Sequence, residues 1–162
     1  MIPAAAAHAA PPLEVSDWLN APAPLTLDGL RGRVVALHAF QMLCPGCVAH
    51  GVPQAQRLQR TFDESELAVI GLHTVFEHHA VMGAQALRVF VSEYRVTFPV
   101  GIDAPGDEGP IPRTMAAYGL RGTPSLVLID RAGRVRLNHF GAADDLALGA
   151  VIGRLLSEPV EG

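Results

Sequence analysis

A chain of 162 residues, 49% hydrophobic and only 17% charged, suits one folded domain with one core and excludes a disordered polymer. The formal charge of -4 arises without a single lysine, and the twelve arginines are scattered, which excludes the clustered basic face of a nucleic-acid binder. No stretch reaches the roughly 18–20 apolar residues needed to span a bilayer.

Residues 1–12 are rich in alanine and proline, and the first arginine is Arg31, so the cationic start of a secretory signal is missing. The segment reads as an uncleaved, flexible leader. It implies a cytoplasmic location, or a periplasmic one if a signal or anchor has been removed. The domain proper is expected over residues 13–158, with a short tail at 159–162. Leu13 to Leu30 reads as irregular. Val34 to Phe40 is a compact apolar run that fits a buried parallel strand. From Val48 to Phe62, Val48, Val52, Ala55, Leu58 and Phe62 recur at helical spacing, with Pro53 kinking the pattern. A strand over 67–75 and a helix over 80–94 follow. Next come a short strand over 98–103, a Pro/Gly-rich loop, and a short helix over 113–118 ended by Gly119. Strands over 125–129 and 135–140 form a hairpin across the turn 130–133, and a helix over 146–156 closes the chain. This order predicts an α/β fold: a central, mostly parallel sheet with an antiparallel C-terminal hairpin and helices on both faces.

The only two cysteines, Cys44 and Cys47, stand three apart, between the first apolar strand and its helix. A bond between them closes too small a loop to act as a staple, so their role is chemical. A helix N-terminus carries free amides and a partial positive charge. Cys44 at that end is therefore expected to ionise below the free thiol value of about 8.5 and to act as nucleophile. Cys47, one turn in, is placed to resolve a mixed disulfide. Pro45 suits the first helical position, where its missing N–H is not needed. Two other readings remain open: a zinc half-site, which would need a second ligand pair, and a pair of inert core thiols. No cofactor and no metal are called for. Pro124, just before the strand 125–129, marks a strand start because proline cannot donate to a sheet.

The cysteine motif Cys44-Pro45-Gly46-Cys47, the segment from Leu25 to Val35 (LTLDGLRGRVV) and the segment from Tyr118 to Arg134 (YGLRGTPSLVLIDRAGR) together resemble the thioredoxin superfamily. Within it they resemble the TlpA-like thiol-disulfide oxidoreductases related to the AhpC/TSA redoxins. The resemblance spans about Leu25 to Leu156. It implies a thioredoxin-like fold and dithiol–disulfide exchange with a protein or small-molecule partner and an upstream redox partner. It further implies a cis Pro124 facing the cysteines, with the Thr123 backbone pairing with bound substrate. Leu43, Pro45 and Gly46 would border that substrate, and a monomer or weak dimer is expected. A buried acid often stands in the family where this chain has His38. His38 is then either a proton acceptor for Cys47 or a neutral core histidine.

The chain departs from the family in two places. Leu43, preceded by Gln41 and Met42, replaces the usual tryptophan, which implies an altered recognition surface. Pro53 lies nine residues past Cys44 instead of eight, which predicts a bulge in the helix. Glu77, His78 and His79 follow the strand 67–75 and read as a polar helix cap, with bordering the site or binding a metal as alternatives. His50 reads as a solvent-facing helix residue. A thiol peroxidase would need threonine or serine three residues before the nucleophile, where Gln41 stands. A non-enzymatic copper-handling or partner-binding module is the remaining alternative.

Overall fold

The run Val34–Phe40 is apolar except at His38, and a strand of that composition is stable only when covered on both faces. In the computed structural model, which describes residues 1–159, it is strand β2, every residue of which is buried. Around it stand β1 (Val15–Leu19), β3 (Leu67–His73), β4 (Val100–Asp103), β5 (Ser125–Ile129) and β6 (Val135–Phe140). They form one six-stranded sheet in the order β1-β4-β3-β2-β5-β6. The middle, β2–β3–β4, is parallel, and both flanks are antiparallel: β1 on β4, β5 on β2, and β6 on β5. The helices are α1 (Val52–Thr61), α2 (Ala84–Glu93), α3 (Arg113–Ala117) and α4 (Asp145–Ser157).

Alternation along β2 divides the core. Val34, Ala36 and Phe40 face a cluster built with Cys47 and with Ala55 and Leu58 of α1, Leu87 and Phe90 of α2, and Leu148, Ile152 and Leu155 of α4. Val35, Leu37 and Ala39 face the opposite cluster, with Met115 of α3, Tyr118 and Leu30. Asp103 closes β4 and accepts the backbone N–H groups of Thr114 and Met115 at 2.8 and 2.9 Å, which fixes the start of α3.

Two expectations need correcting. Leu13 to Leu30 is not irregular throughout, because it contains β1. Two of its five residues, Ser16 and Asp17, are polar and adjacent, which breaks any strand period. What recruits them is Gly101 of β4, where a Cβ would lie 3.0 Å from Val15 and 3.2 Å from Trp18, so the bare backbone admits both side chains. The leader does not stand free. Ile2 N–H donates to Arg136 C=O, Val135 N–H to His8 C=O and Ala10 N–H to Gly133 C=O, while Tyr118 Oη donates to Pro11 C=O at 2.7 Å. Backbone groups of β6 and of the turn before it, with the Tyr118 hydroxyl, offer these partners, and hydrophobicity does not report them. The expected helix over 48–62 is present with its bulge: a π-helical turn, Cys47–Gly51, runs into α1. Of the expected tail at 159–162, residues 160–162 lie outside the described residues.

The largest fully buried side chain is Arg136 of β6. Its guanidinium grips both carboxylate oxygens of Glu158, reaches Asp130 Oδ2 at 3.1 Å, and donates through Nε to Ile2 C=O at 2.7 Å. One cation thus joins the leader, the β5–β6 turn and the end of α4. Breaking a fully buried pair costs about 3–5 kcal/mol, but here Asp130 keeps Arg134 Nε at 3.0 Å and Glu158 is 34% exposed, so the loss of Arg136 is worth about 2–3 kcal/mol. Arg136→Ala is therefore expected to lose stability on that scale in urea unfolding; a loss under about 1 kcal/mol would show the cluster to be energetically idle.

Candidate active site

β2 ends at Phe40, and the chain turns at once. Cys44 N–H donates to Gln41 C=O at 3.1 Å, closing a turn over residues 41–44. Gln41 is buried and braces the turn: its Oε1 accepts Phe76 N–H at 3.2 Å and its Nε2 donates to Glu77 at 3.4 Å. Helical backbone begins at Pro45. Cys44 and Cys47 are joined by a disulfide with Cα atoms 5.2 Å apart. The two sulfurs differ in access, for Cys44 is half-buried and Cys47 is fully buried. Cys44 Sγ accepts the Cys47 N–H at 3.2 Å, and such a bond favours a thiolate when the pair is reduced.

The excess residue before Pro53 is absorbed as the π-helical turn. Val52 N–H donates to Cys47 C=O, five residues back. Pro53 then falls in the first turn of α1, where its missing N–H is harmless. The expected bulge is thus present, and it leaves Cys47 at the inner end of the motif.

The segment 122–125 arrives from the other side of the sheet. The Thr123–Pro124 peptide is cis. Thr123 C=O lies 3.5 Å from Cys44 Sγ. The Pro124 ring rests on bare backbone: a Cβ on Gly46 would lie 3.3 Å from it, and one on Gly51 3.1 Å. Ser125 Oγ donates to Gly122 C=O at 2.7 Å, and Gly141 N–H to Pro124 C=O at 2.8 Å, so both ends of the loop are tied. Around the disulfide, Leu43 is 57% exposed and Phe140 45% exposed. The Phe140 ring packs on Gly122 beneath the Arg121 guanidinium, 5.3 Å from its centroid.

His38 lies on the face of β2 that meets the Cys47 cluster, with its Nε2 buried and unpartnered. Of Glu77, His78 and His79, His78 stands at the N-cap position of a 3-10 turn, His79–Val81, without a side-chain cap bond. Glu77 accepts from Gln41, His78 adopts left-handed backbone, and His79 Nε2 faces Pro110 C=O at 3.2 Å. His50 is exposed on the π-helical turn. Among the described residues, no group of three or more histidine, cysteine or acidic side chains is arranged to hold a metal ion, and no helix is long and apolar enough to cross a membrane. The bracing by Gln41 and the packing of Phe140 on Gly122 have no signal in the sequence, because each depends on which strand ends lie side by side.

Thiol-disulfide oxidoreductases of the thioredoxin fold are the class that this sheet and this cysteine pair define. The chain belongs to the Redoxin family, whose model matches residues 5–148. It is similar to a thioredoxin-like superfamily protein, SPOA0173, at 56% identity; the match covers 94% of this chain and 99% of that one, with a TM-score of 0.93. A thiol-disulfide isomerase from Corynebacterium glutamicum is 53% identical over 93% of this chain and 98% of its own, with a TM-score of 0.88. StoA from Bacillus subtilis, 20% identical over 74% and 82% of the two chains, shares the fold at a TM-score of 0.60. No curated protein sequence matches the chain.

Two buried histidines give the fold a pH dependence. Burial lowers both His38 and His73 from 6.5 to about 4, so both are neutral in the folded protein at pH 7. The unfolded chain binds more protons between those values. Stability is therefore fully present above about pH 6.5 and falls as the pH drops towards 4. From pH 7 to 5.5 the loss is expected to be about 1 kcal/mol per histidine. Urea unfolding should show this, and His38→Leu should remove about half of it; an unchanged slope in that variant would sink the assignment.

Proposed function

We propose that the chain exchanges disulfides with protein or small-molecule partners through Cys44 as nucleophile and Cys47 as resolving thiol. The observation that carries this reading is the contrast between the two sulfurs: Cys44 is reachable and accepts an amide, while Cys47 is sealed in the core. In the reducing direction the Cys44 thiolate attacks one sulfur of a substrate disulfide and forms a mixed disulfide, and the other substrate sulfur leaves as thiolate. Cys47, as thiolate, then attacks the Cys44 sulfur. The second substrate thiol is released and the Cys44–Cys47 disulfide forms. Two electrons pass to the substrate, and an upstream dithiol restores the pair. A reducing cytoplasm favours this direction, and an oxidising compartment the reverse. The thiol-disulfide isomerase from Corynebacterium glutamicum supports the same type of exchange here.

Pro124 is proposed to hold substrate against the pair, with the backbone of Thr123 as its partner and Leu43, Pro45 and Gly46 along its path. Exposed Leu43 makes that path apolar, which suits unfolded or partly unfolded polypeptide. A peroxidase reading finds no support, since the Gln41 side chain is spent on Phe76 and Glu77. Cys47→Ser is expected to accumulate mixed disulfides with substrate and Cys44→Ser to form none, as read on non-reducing gels with reduced and oxidised insulin as probe. Equal trapping by both variants would defeat the order of roles.

His38 is proposed to take the proton of Cys47 as that thiol attacks. Support comes from its place on the Cys47 face, its unpartnered Nε2 and its neutrality at pH 7. His38→Asn should slow resolution of a preformed mixed disulfide by about tenfold or less, below the range of a fully engaged acid–base group. The first attack should be unaffected. Unchanged resolution between about pH 6 and 9 would leave His38 as core packing.

A further inference from the structure

The turn that carries Cys44 is held by a residue outside both the cysteine motif and the proline loop. Inside a four-residue turn the second amide has no partner in the turn itself. Here that amide belongs to Met42, which is buried and needs a partner. It donates to His73 Nε2 at 3.2 Å. The His73 ring is itself immobilised. It is 1% exposed, it ends β3 opposite Phe40 in the ladder, and the Phe40 ring lies tilted 5.2 Å away. Gln41 adds the second tie, through Phe76 N–H. Both ties run from the Cys44 turn to the end of β3 and the loop after it.

We propose that His73 is a positioning residue for the redox pair: by accepting the Met42 amide it fixes the turn that presents the Cys44 sulfur to the Cys47 amide. The proposal rests on Cys44 being the attacking thiol. An accepting Nε2 is unprotonated, so the ring proton sits on Nδ1. Burial keeps the ring in that neutral form, with its pKa lowered to about 4. The other titratable groups nearby have partners of their own. His79 and Asp103 line the cavity of about 250 Å³ beside His73. Asp103 is taken up by the amides of Thr114 and Met115, His79 faces Pro110 C=O, and Glu77 binds Gln41. Without the Nε2 acceptor, the buried Met42 amide is left unsatisfied and the turn relaxes to find it another partner. The Cys47 N–H to Cys44 Sγ bond strengthens when Cys44 ionises, so a loosened turn raises the Cys44 thiol pKa.

Alkylation of the reduced full chain by iodoacetamide, followed from about pH 5 to 9 with mass spectrometry of the modified peptide, tests this in the unaltered protein, His73→Phe and His73→Gln. Phenylalanine keeps a ring against Phe40 and lacks the acceptor; glutamine restores an acceptor oxygen. At about pH 6, His73→Phe should lower the Cys44 rate about three- to tenfold and move the profile upward, whereas His73→Gln should stay within about twofold. Equal Cys44 rates in all three proteins would overturn the role of His73 and leave Cys44 as nucleophile. Glutamine as slow as phenylalanine would assign the effect to packing and overturn it too. First alkylation at Cys47 would overturn the underlying order of the cysteines. One measurement is independent of the variants' folding: imidazole nitrogen shifts of the unaltered chain should show His73 Nε2 unprotonated down to about pH 5, and an Nε2–H tautomer would end the proposal.

Discussion

The ring of Pro124 lies on the backbone of Gly46 and Gly51, and this contact sets the distance between the two halves of the site. The cysteine turn leaves β2, the proline loop enters β5, and these strands are antiparallel neighbours. The C-terminal end of β2 and the start of β5 therefore meet at one end of the sheet. A side chain at either glycine would drive the loop outward by a few tenths of an ångström. Thr123 C=O would then leave the Cys44 sulfur that it now touches. The π-helical turn serves the same contact, since its inserted residue is accommodated between Cys47 and Pro53 while Gly51 stays under the ring.

The order of strands and helices was readable because it rests on local pattern. β2 and β5 coincide with their apolar runs, β6 with the expected hairpin partner, and Gly119 ends α3 with positive φ. The bulge before Pro53 was readable by setting its distance from Cys44 against the spacing usual in the resembling family. β1 was not, because its partner Gly101 lies more than eighty residues away and contributes no side chain. The leader was misread for a related reason. Alanine and proline carry no amphipathic signal, and the groups that bind them lie far along the chain, in β6, the turn before it and Tyr118.

The site divides in the same way. Cys44, Cys47 and Pro124 are marked by residue type and position. Gln41 and His73 become legible only once β3 is known to lie beside β2, because what they supply is a hydrogen-bond partner across a strand boundary. His38 stands between the two cases. Its place on the strand was legible, but its lack of a partner is a property of the packed core.

A sheet of this kind has two edges, and each unpaired edge invites a foreign strand. At one end β1 carries a bulge between Val15 and Asp17 and exposes Ser16 and Asp17, which spoils its register for an incoming chain. At the other end the first ten residues run along Val135 and Arg136 of β6 and are anchored there by the buried guanidinium. These residues form no strand of their own, yet they cover the half of the β6 edge remote from Phe140 and the disulfide, and so close that half to an incoming chain.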